Sequence, residues 1–197
     1  MPVAILPAVV PVAVPGLEVR VWRESDAAAL GSAIADSIEH LRAFMPWIAQ
    51  EPLALADRVL MIRRWEAERL AGGDAVYGIL RDGRVVGGTG AHRPDADRRP
   101  MADDAVEIGY WLRPDEQGRG IMTAVVGALT DLLLDLPGLT HVQIRMDEAN
   151  VRSAAVPPRC GYRLVAQARR EVSAPAETGR FLVWRAGADP EPEPPSS

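Results

Sequence analysis

The sequence contains no lysine, and all 22 of its basic residues are arginine. No lysine side chain is therefore available as a nucleophile or as an internal acylation target. The 27 acidic residues outnumber the arginines and give a formal net charge of -5 at pH 7. This acidic balance argues against a surface that coats nucleic acid, so we expect no nucleic-acid partner.

Cysteine and histidine are also scarce. The single cysteine, Cys160, cannot form a disulfide within the chain, which fits a reducing compartment and predicts a cytoplasmic protein. The three histidines, His40, His92 and His141, are far apart in the sequence. Because a metal site needs several ligands at a set spacing, we expect no bound metal.

The start of the chain is apolar but has no uninterrupted apolar run. Four prolines break it between Pro2 and Pro15, and no basic region precedes them, so we predict neither a signal peptide nor a membrane partner. Residues 1–16 are expected to form an extended proline-rich lead-in. Residues 187–197 are rich in proline and glutamate and are predicted to be disordered. With 48% apolar residues overall, the chain suits one globular domain over residues 17–186.

Apolar periodicity, cap residues and turn signals predict a mixture of helices and strands. The Asp82-Gly83 pair predicts a tight hairpin turn. Helices are expected over Ala27–Ile38, Ala54–Ala71, Ile121–Leu134 and Asn150–Val156, and strands over Leu17–Trp22, Val76–Leu80, Val85–Gly90, Val106–Leu112, His141–Met146, Tyr162–Ala166 and Phe181–Arg185. This order implies an α/β (α+β) domain in which a mixed sheet has helices on both faces.

The segment from Glu107 to Ala124 combines an apolar strand, a glycine turn and the start of a helix. In that order, free backbone NH groups and the helix dipole face the same point, which favours an anion such as a phosphate. Gly118 and Gly120 permit positive φ angles and a close approach of the backbone to the anion. The alternative is an ordinary strand-to-helix turn, since short glycine motifs recur widely.

Gln117-Gly-Arg-Gly-Ile-Met122 resembles the acyl-CoA pyrophosphate loop of the GNAT superfamily of N-acyltransferases, whose pattern is Gln/Arg-x-x-Gly-x-Gly/Ala. Further along, Asn150-x-x-Ser153-x-x-Val156 and Gly161-Tyr162 are similar to the signature of the RimJ/RimL-type branch, which acetylates N-terminal amines of ribosomal proteins and related targets. Ile108-Gly-Tyr-Trp-Leu112 also resembles that branch. The resemblance spans about residues 85–184 and implies a sheet of about seven strands with about four helices.

The resemblance implies an acetyl-CoA-dependent N-acetyltransferase in which a primary amine attacks the thioester directly. The amine belongs either to a protein or peptide N-terminus or to a small molecule. An antibiotic or natural-product acyltransferase, using acetyl-CoA or another acyl-CoA, is the alternative, because one fold hosts many acceptors. A non-catalytic acyl-CoA-binding regulatory protein is an alternative of a different class. The low basicity argues against an aminoacyl-tRNA donor.

The same resemblance assigns the acyl-CoA donor to two backbone segments. Backbone groups of Tyr110–Arg113 are expected to pair with pantetheine, and NH groups of Gln117–Thr123 with the diphosphate, while the side chain of Asn150 either binds pantetheine or caps a helix. The predicted donor-binding residues are Tyr110, Trp111, Leu112, Arg113, Gln117, Gly118, Arg119, Gly120, Ile121, Met122, Thr123, Asn150 and Ser153. Met122 departs from the pattern, since many members carry Gly or Ala there.

Three residues are predicted to take part in catalysis. Pro157 stands where many GNAT enzymes carry the tyrosine that protonates the departing thiolate, so Ser153 is the candidate for that role. The alternative is that Ser153 is an ordinary residue at the start of a helix, with its hydroxyl hydrogen-bonded to the backbone. Glu107 and Glu171 are the candidate bases. The alternatives are that they are surface carboxylates without a catalytic role, or that the proton leaves through water.

The acceptor pocket is expected between residues 39–47 and the polar, exposed loop 94–104. Phe44, Met45 and Trp47 supply apolar side chains that either line this pocket or pack a helix junction, and Glu39 and Asp36 can attract a cationic amine. His92, at a strand end, is the candidate to line the acceptor pocket, and the alternative is a structural or exposed histidine. RimJ/RimL-type proteins suggest a homodimer, although no exposed apolar stripe in the sequence requires one.

Overall fold

The computed structural model describes residues 4–94 and 101–188. The prediction of a disordered tail therefore falls outside the described residues except at Gly187 and Ala188. Most of the predicted exposed loop, residues 95–100, also falls outside them.

The described residues form one eight-stranded sheet and five α-helices. The strands are β1 (Val9–Val10), β2 (Leu17–Val21), β3 (Ala75–Arg81), β4 (Arg84–His92), β5 (Ala105–Leu112), β6 (His141–Asp147), β7 (Arg163–Arg169) and β8 (Arg180–Gly187). The helices are α1 (Ala27–Ala35), α2 (Ile38–Arg42), α3 (Leu55–Leu70), α4 (Ile121–Leu134) and α5 (Val151–Ala154). Four short 3-10 turns, among them Pro46–Gln50, Pro114–Glu116 and Pro157–Cys160, complete the described structure.

The strands lie in the order β1-β2-β3-β4-β5-β6-β8-β7. Every neighbouring pair is antiparallel except β5 and β6, which are parallel. Parallel neighbours need a crossover connection, and α4 provides it. The sheet is therefore mixed, and its single βαβ unit contains the glycine turn.

The β3–β4 hairpin confirms the turn predicted from Asp82-Gly83. Both residues have positive φ angles, 49° and 78°, and Arg81 pairs with Arg84 directly beside them. Two successive positive φ angles are the mark of a type I′ turn, whose twist matches that of the flanking strands.

The segment before Leu17 is extended but packs on the domain. Leu6 is fully buried, its carbonyl accepts a hydrogen bond from Arg69 at 2.7 Å, and Val9–Val10 pairs with β2. The lead-in therefore contributes a strand and core side chains to the domain.

The helix predicted over Ala27–Ile38 is interrupted, which corrects that prediction. The backbone of Ser37 leaves the helical conformation (φ −114°, ψ 1°), and its buried hydroxyl donates to the carbonyl of Ala33 at 2.7 Å. Such a bond to the preceding turn competes with regular helix geometry. The chain restarts at Ile38 as α2, a separate short helix whose His40 contacts Gln117, directly before the glycine turn.

Apolar side chains cover both faces of the sheet. A larger cluster lies between the sheet and α4, where Val125, Val126 and Leu129 are fully buried. A smaller cluster lies on the other face beneath α1 and α3. Along the described chain, no helix has both the length and the apolar character needed to cross a membrane.

Candidate active site

Strands β5 and β6 separate part of the way along their length. Their pairing covers only the first three positions of β5 and ends at Glu107 opposite Gln143. Beyond this point β5 continues to Leu112 paired with β4, whereas β6 continues paired with β8. One backbone edge of residues 108–112 consequently faces an opening between the two strands, which we call the wedge.

A groove with a volume of about 1120 Å³ begins at the wedge and runs past the glycine turn. Its walls come from β5, the start of α4, α5 and α2. The lining includes Tyr110, Leu112, Gln117, Gly118, Gly120, Ile121, Met122, Thr123, Asn150 and Ser153, all predicted donor residues, together with Phe44 and Met45 from the predicted acceptor segment.

The glycine turn aims the N-terminus of α4 into this groove. Gly118 and Gly120 have φ angles of 73° and 75°, and a Cβ on either would have no protein atom within 4 Å. No described side chain caps the helix at Gly120. The first NH groups of α4 are therefore without a partner within the helix and lie beside open space, which is the geometry of an anion site.

Helix α5 holds Asn150 and Ser153 against the opposite wall. The side chain of Asn150 accepts a hydrogen bond from the backbone NH of Ser153 at 3.3 Å, so it acts as a helix cap, the alternative role predicted for it. The hydroxyl of Ser153 donates to the hydroxyl of Tyr110 at 3.2 Å. The hydroxyl of Tyr110 in turn donates to the carbonyl of Ser153 at 2.9 Å. Burial raises the pKa of Tyr110, so its phenol remains protonated and acts as a donor.

Three side chains connect the walls at the mouth of the groove. Arg152 donates to Oε1 of Gln117 at 2.7 Å, and Nε2 of Gln117 lies 2.7 Å from Nε2 of His40 on α2. Because arginine can only donate, the amide of Gln117 must present its NH₂ group to His40, whose Nε2 is then the acceptor. Burial, with the nearby charge of Arg152, lowers the pKa of His40 and keeps it neutral.

A buried carboxylate secures the loop ahead of the glycine turn. Glu116 is 7% exposed and accepts hydrogen bonds from Arg81 at 3.0 Å and from Arg84 at 3.2 Å. Arg119, predicted to add charge for the donor, also lies 3.7 Å from it. Glu116 thereby ties the β3–β4 hairpin to the turn, while the side chain of Arg119 lies outside the groove lining.

A second buried carboxylate joins the end of β6 to the loop between β7 and β8. Asp147, at the end of β6, is 3% exposed and accepts hydrogen bonds from the backbone NH groups of Ala149, Thr178 and Gly179, each at 2.9 Å. Burial alone would raise the pKa of Asp147, but these bonds outweigh burial and the pKa is lowered. The loop between β7 and β8 is thereby fixed relative to the turn that leads to Asn150.

Two predicted donor residues direct their side chains away from the groove. Trp111 packs on the smaller cluster, on the opposite face of the sheet. The guanidinium of Arg113 lies 2.9 Å from Asp36 and 3.3 Å from Asp115. The backbone of Trp111 still belongs to the edge that borders the wedge, and Arg113 comes directly after that edge. The NH of Arg113 bonds to the carbonyl of Val86.

Neither predicted base lines the groove. Glu107 lies at the closed end of the wedge, where it forms a short ion pair with Arg145 and accepts a hydrogen bond from Gln143 at 3.2 Å. Glu171 is exposed on the segment that follows β7. The structure therefore does not bring these two carboxylates together.

The predicted acceptor residues divide in a similar way. Phe44 lies in the groove wall, whereas Trp47 is 37% exposed and is not among the lining residues. Glu39 points to solvent beside Arg42. His92 lies on the other face of the sheet, where Asp74 accepts a hydrogen bond from its Nδ1 at 2.8 Å.

Sequence reasoning missed several residues that the structure places at this site. His40 and the two arginines Arg152 and Arg159 line the groove. Asp74 was missed as well, but it bonds to His92 outside the groove lining. The two arginines are close to Asn150-x-x-Ser153 in the sequence, which was a usable signal, but His40 and Asp74 reach their partners only through the fold. No group of three His, Cys, Asp or Glu side chains within residues 4–94 and 101–188 is placed to hold a metal ion.

Comparison with known proteins agrees with this geometry. The family model described as acetyltransferase (GNAT) domain matches residues 17–163. YdaF of Bacillus subtilis (strain 168), provisionally named a ribosomal N-acetyltransferase, is 27% identical over 146 residues, which are 74% of this chain and 77% of YdaF.

Solved structures show the same fold. RimL, a ribosomal L7/L12 alpha-N-protein acetyltransferase in complex with coenzyme A, has a TM-score of 0.79 at 20% identity, covering 91% of this chain and 97% of RimL. RimJ of Mycobacterium smegmatis has a TM-score of 0.78 at 23% identity, covering 91% and 87%. The microcin C7 self immunity acetyltransferase MccE, in complex with acetyl-CoA and AMP, has a TM-score of 0.77 at 18% identity, covering 89% and 94%. With its family model matched over most of the chain and the glycine turn opening into the groove, the protein belongs to the GNAT acetyltransferase family.

Proposed function

We propose that this protein transfers the acetyl group of acetyl-CoA to the primary amine at a protein or peptide N-terminus. The observation that carries the proposal is the groove itself, which joins an uncapped helix N-terminus to an open strand edge. A coenzyme A thioester has the matching parts, an anionic diphosphate at one end and an amide-containing pantetheine arm next to it.

The donor fits the groove from the mouth inward. The diphosphate is assigned to the NH groups at the start of α4, where the helix dipole adds to their attraction. Arg152 and Arg159 line the same stretch and supply positive charge. The pantetheine amides are assigned to the free edge of residues 108–112, as an added strand would be.

Chemistry then takes place within the wedge. The attacking nitrogen forms a bond to the thioester carbon, the carbon–sulfur bond breaks, and the sulfur leaves as a thiolate that must gain a proton. The hydroxyl of Ser153 faces the groove and is held by Tyr110. We propose that this hydroxyl, whose single proton is donated to Tyr110 in the structure, turns to donate it to the leaving sulfur. Ser153 would then supply the hydrogen bond that Pro157, at the position of the usual tyrosine, does not.

The protein N-terminus is favoured as acceptor by the named relatives. RimL is described as a ribosomal L7/L12 alpha-N-protein acetyltransferase, and YdaF has a related provisional name. A small natural-product amine is the second candidate, because MccE, a self immunity acetyltransferase, is nearly as similar in structure.

The test is a turnover assay with two classes of acceptor. Acetyl-CoA is incubated with a panel of N-terminal peptides and, separately, with small primary amines, and free CoA release is followed together with the mass of each acceptor. We expect a gain of 42 Da, the mass of one acetyl group, on the α-amine of the peptides. Acetylation of small amines alone would select the second candidate, and CoA binding without turnover on either panel would contradict both.

A further inference from the structure

We propose that His92, oriented by Asp74, is the general base that removes the proton from the attacking amine. This assignment rests on the proposed acetyl transfer and names the group that performs one of its steps. The proposed base is thus a histidine on the opposite face of the sheet from the donor groove, and it replaces the predicted carboxylates Glu107 and Glu171.

The hydrogen bonds of the His92–Asp74 pair hold the imidazole in the tautomer that a general base requires. One oxygen of Asp74 accepts the hydrogen bond from Nδ1 of His92 at 2.8 Å, and the other accepts from the backbone NH of Arg93 at 2.8 Å. A carboxylate held in this way places the histidine proton on Nδ1 and leaves a lone pair on Nε2. The side chains of His92 and Asp74 are 27% and 12% exposed, so the pair remains accessible to an acceptor.

The ring of His92 lies over Gly90 of β4 and Gly109 of β5, the strand that borders the wedge. On β4 and β5, His92 is paired with Glu107 and Gly90 with Gly109, so all four side-chain positions lie on one face. A Cβ on Gly90 would collide with Nε2 of His92, and a Cβ on Gly109 would lie 3.6 Å from it. The two glycines therefore leave room for the ring to lie over the backbone just beyond the closed end of the wedge, where the thioester is assigned.

Glu107 is less suited to the task. It lies next to His92 across the strands, but Arg145 and Gln143 already occupy its carboxylate. Within residues 4–94 and 101–188, the charged groups near His92 are Asp74 ahead of β3, Arg93 after β4, and the Glu107–Arg145 pair on β5 and β6. Of these groups, only Asp74 is hydrogen-bonded to the ring in the described structure.

The proposed step is balanced in protons and electrons. The ammonium form of the acceptor gives its proton to Nε2 of His92, and the freed nitrogen lone pair attacks the carbonyl carbon. The carbon–sulfur bond then breaks with its electron pair on sulfur. The second proton, which the attacking nitrogen must lose to become a neutral amide, passes by way of the Ser153 hydroxyl to that sulfur, which leaves as the CoA thiol. The imidazolium returns its proton to solvent, and Asp74 stays ionised throughout.

The first test compares His92→Gln with the unchanged protein. We expect kcat/KM for a peptide acceptor to fall about 10²- to 10⁴-fold, which is the usual contribution of a positioned base. The inflection on the acidic side of the pH profile should disappear, while the calorimetric affinity for CoA stays within twofold. His141→Gln is the matched control, because His141 is also near an aspartate, Asp104 at 4.0 Å, but pairs with Ala105 where β5 and β6 are still joined, two positions before the wedge opens.

Two further measurements separate a base from a structural residue. In Asp74→Asn, the backbone NH of Arg93 should hold the amide oxygen and turn the NH₂ group toward His92, which forces the proton onto Nε2 and abolishes the base. An acceptor amine of low pKa, already neutral at assay pH, should reduce the His92→Gln defect at least tenfold.

The outcomes distinguish the two proposals. No turnover in the unchanged protein contradicts the proposed function. Normal turnover with an unaltered pH profile in His92→Gln, or loss of the inflection in Glu107→Gln instead, overturns the assignment of His92 and leaves the proposed function intact.

Discussion

The substitution Gly120→Ala separates the role of the glycine turn in folding from its role in binding. Gly120 has φ of 75° and no protein atom near a built Cβ, so the folding penalty comes from backbone conformation alone. A left-handed conformation costs an L residue about 1–2 kcal/mol. For a chain of this size, that corresponds to a fall in Tm of about 2–8 °C.

The expected effect on binding is larger. The new Cβ would lie in the groove, where it holds a phosphate away from the first NH groups of α4. A hydrogen bond to a charged group contributes about 1.5–3 kcal/mol, so losing one should raise the Kd for CoA about 10- to 150-fold. Thermal unfolding measures the first effect and isothermal titration calorimetry the second.

Gly138→Ala is the matched control for this prediction. Gly138 has φ of 84° and no protein atom within 4 Å of a built Cβ, but it lies beyond the other end of α4. Both variants should lose similar stability, and only Gly120→Ala should lose affinity for CoA. Wild-type affinity in Gly120→Ala, or an equal loss in both variants, would refute the assignment of the diphosphate to this turn.

Two other substitutions test the buried polar groups. Tyr110→Phe removes both hydrogen bonds to Ser153. It should lower kcat about 5- to 150-fold, since a buried hydrogen bond left incomplete costs about 1–3 kcal/mol. The control is Tyr162→Phe, which loses a hydroxyl contact elsewhere in the core and should lower only Tm. Asp147 has a pKa lowered by its hydrogen bonds, against the opposing effect of burial, so its stabilising contribution is complete above its unfolded pKa of about 3.9 and is lost as the pH falls below it. Asp147→Asn should therefore be less stable than the unchanged protein at pH 7, with a difference that shrinks below about pH 4; a difference that is constant down to pH 3 would contradict this.

The sequence predicted best where apolar periodicity and a backbone signal agreed. Helix α4 occupies the predicted range Ile121–Leu134, because its apolar residues repeat at helical spacing and Gly120 permits the positive φ that begins it. The Asp82-Gly83 hairpin was predictable for a similar reason. In both cases the information lies within a few neighbouring residues.

Polar partners and local breaks were harder to predict. His40 contacts Gln117, which is 77 residues away in the sequence, and Asp74 contacts His92, which is 18 residues away. A periodic pattern of apolar residues does not predict such contacts. The break ahead of α2 depends on Ser37, whose hydroxyl bonds back to Ala33, although serine is common within helices. The sequence therefore locates the proposed donor loop, whereas the proposed base and the mouth of the groove are found only from the fold.

The alternation of side chains along β5 connects these findings. Tyr110 and Leu112 point into the groove, whereas Gly109, directly before Tyr110, faces His92 on the other side of the sheet. Because successive residues of a strand face opposite sides, one short segment can present its even-numbered side chains to the donor and its odd-numbered positions to the acceptor. The separation of β6 at Glu107 exposes the edge between the two faces, and this edge is where we propose that the thioester lies. A shift of one residue in the β5 register would exchange the two sets, and the bonds of Thr89 and Arg113 to Gly109 and Val86 hold the register in place.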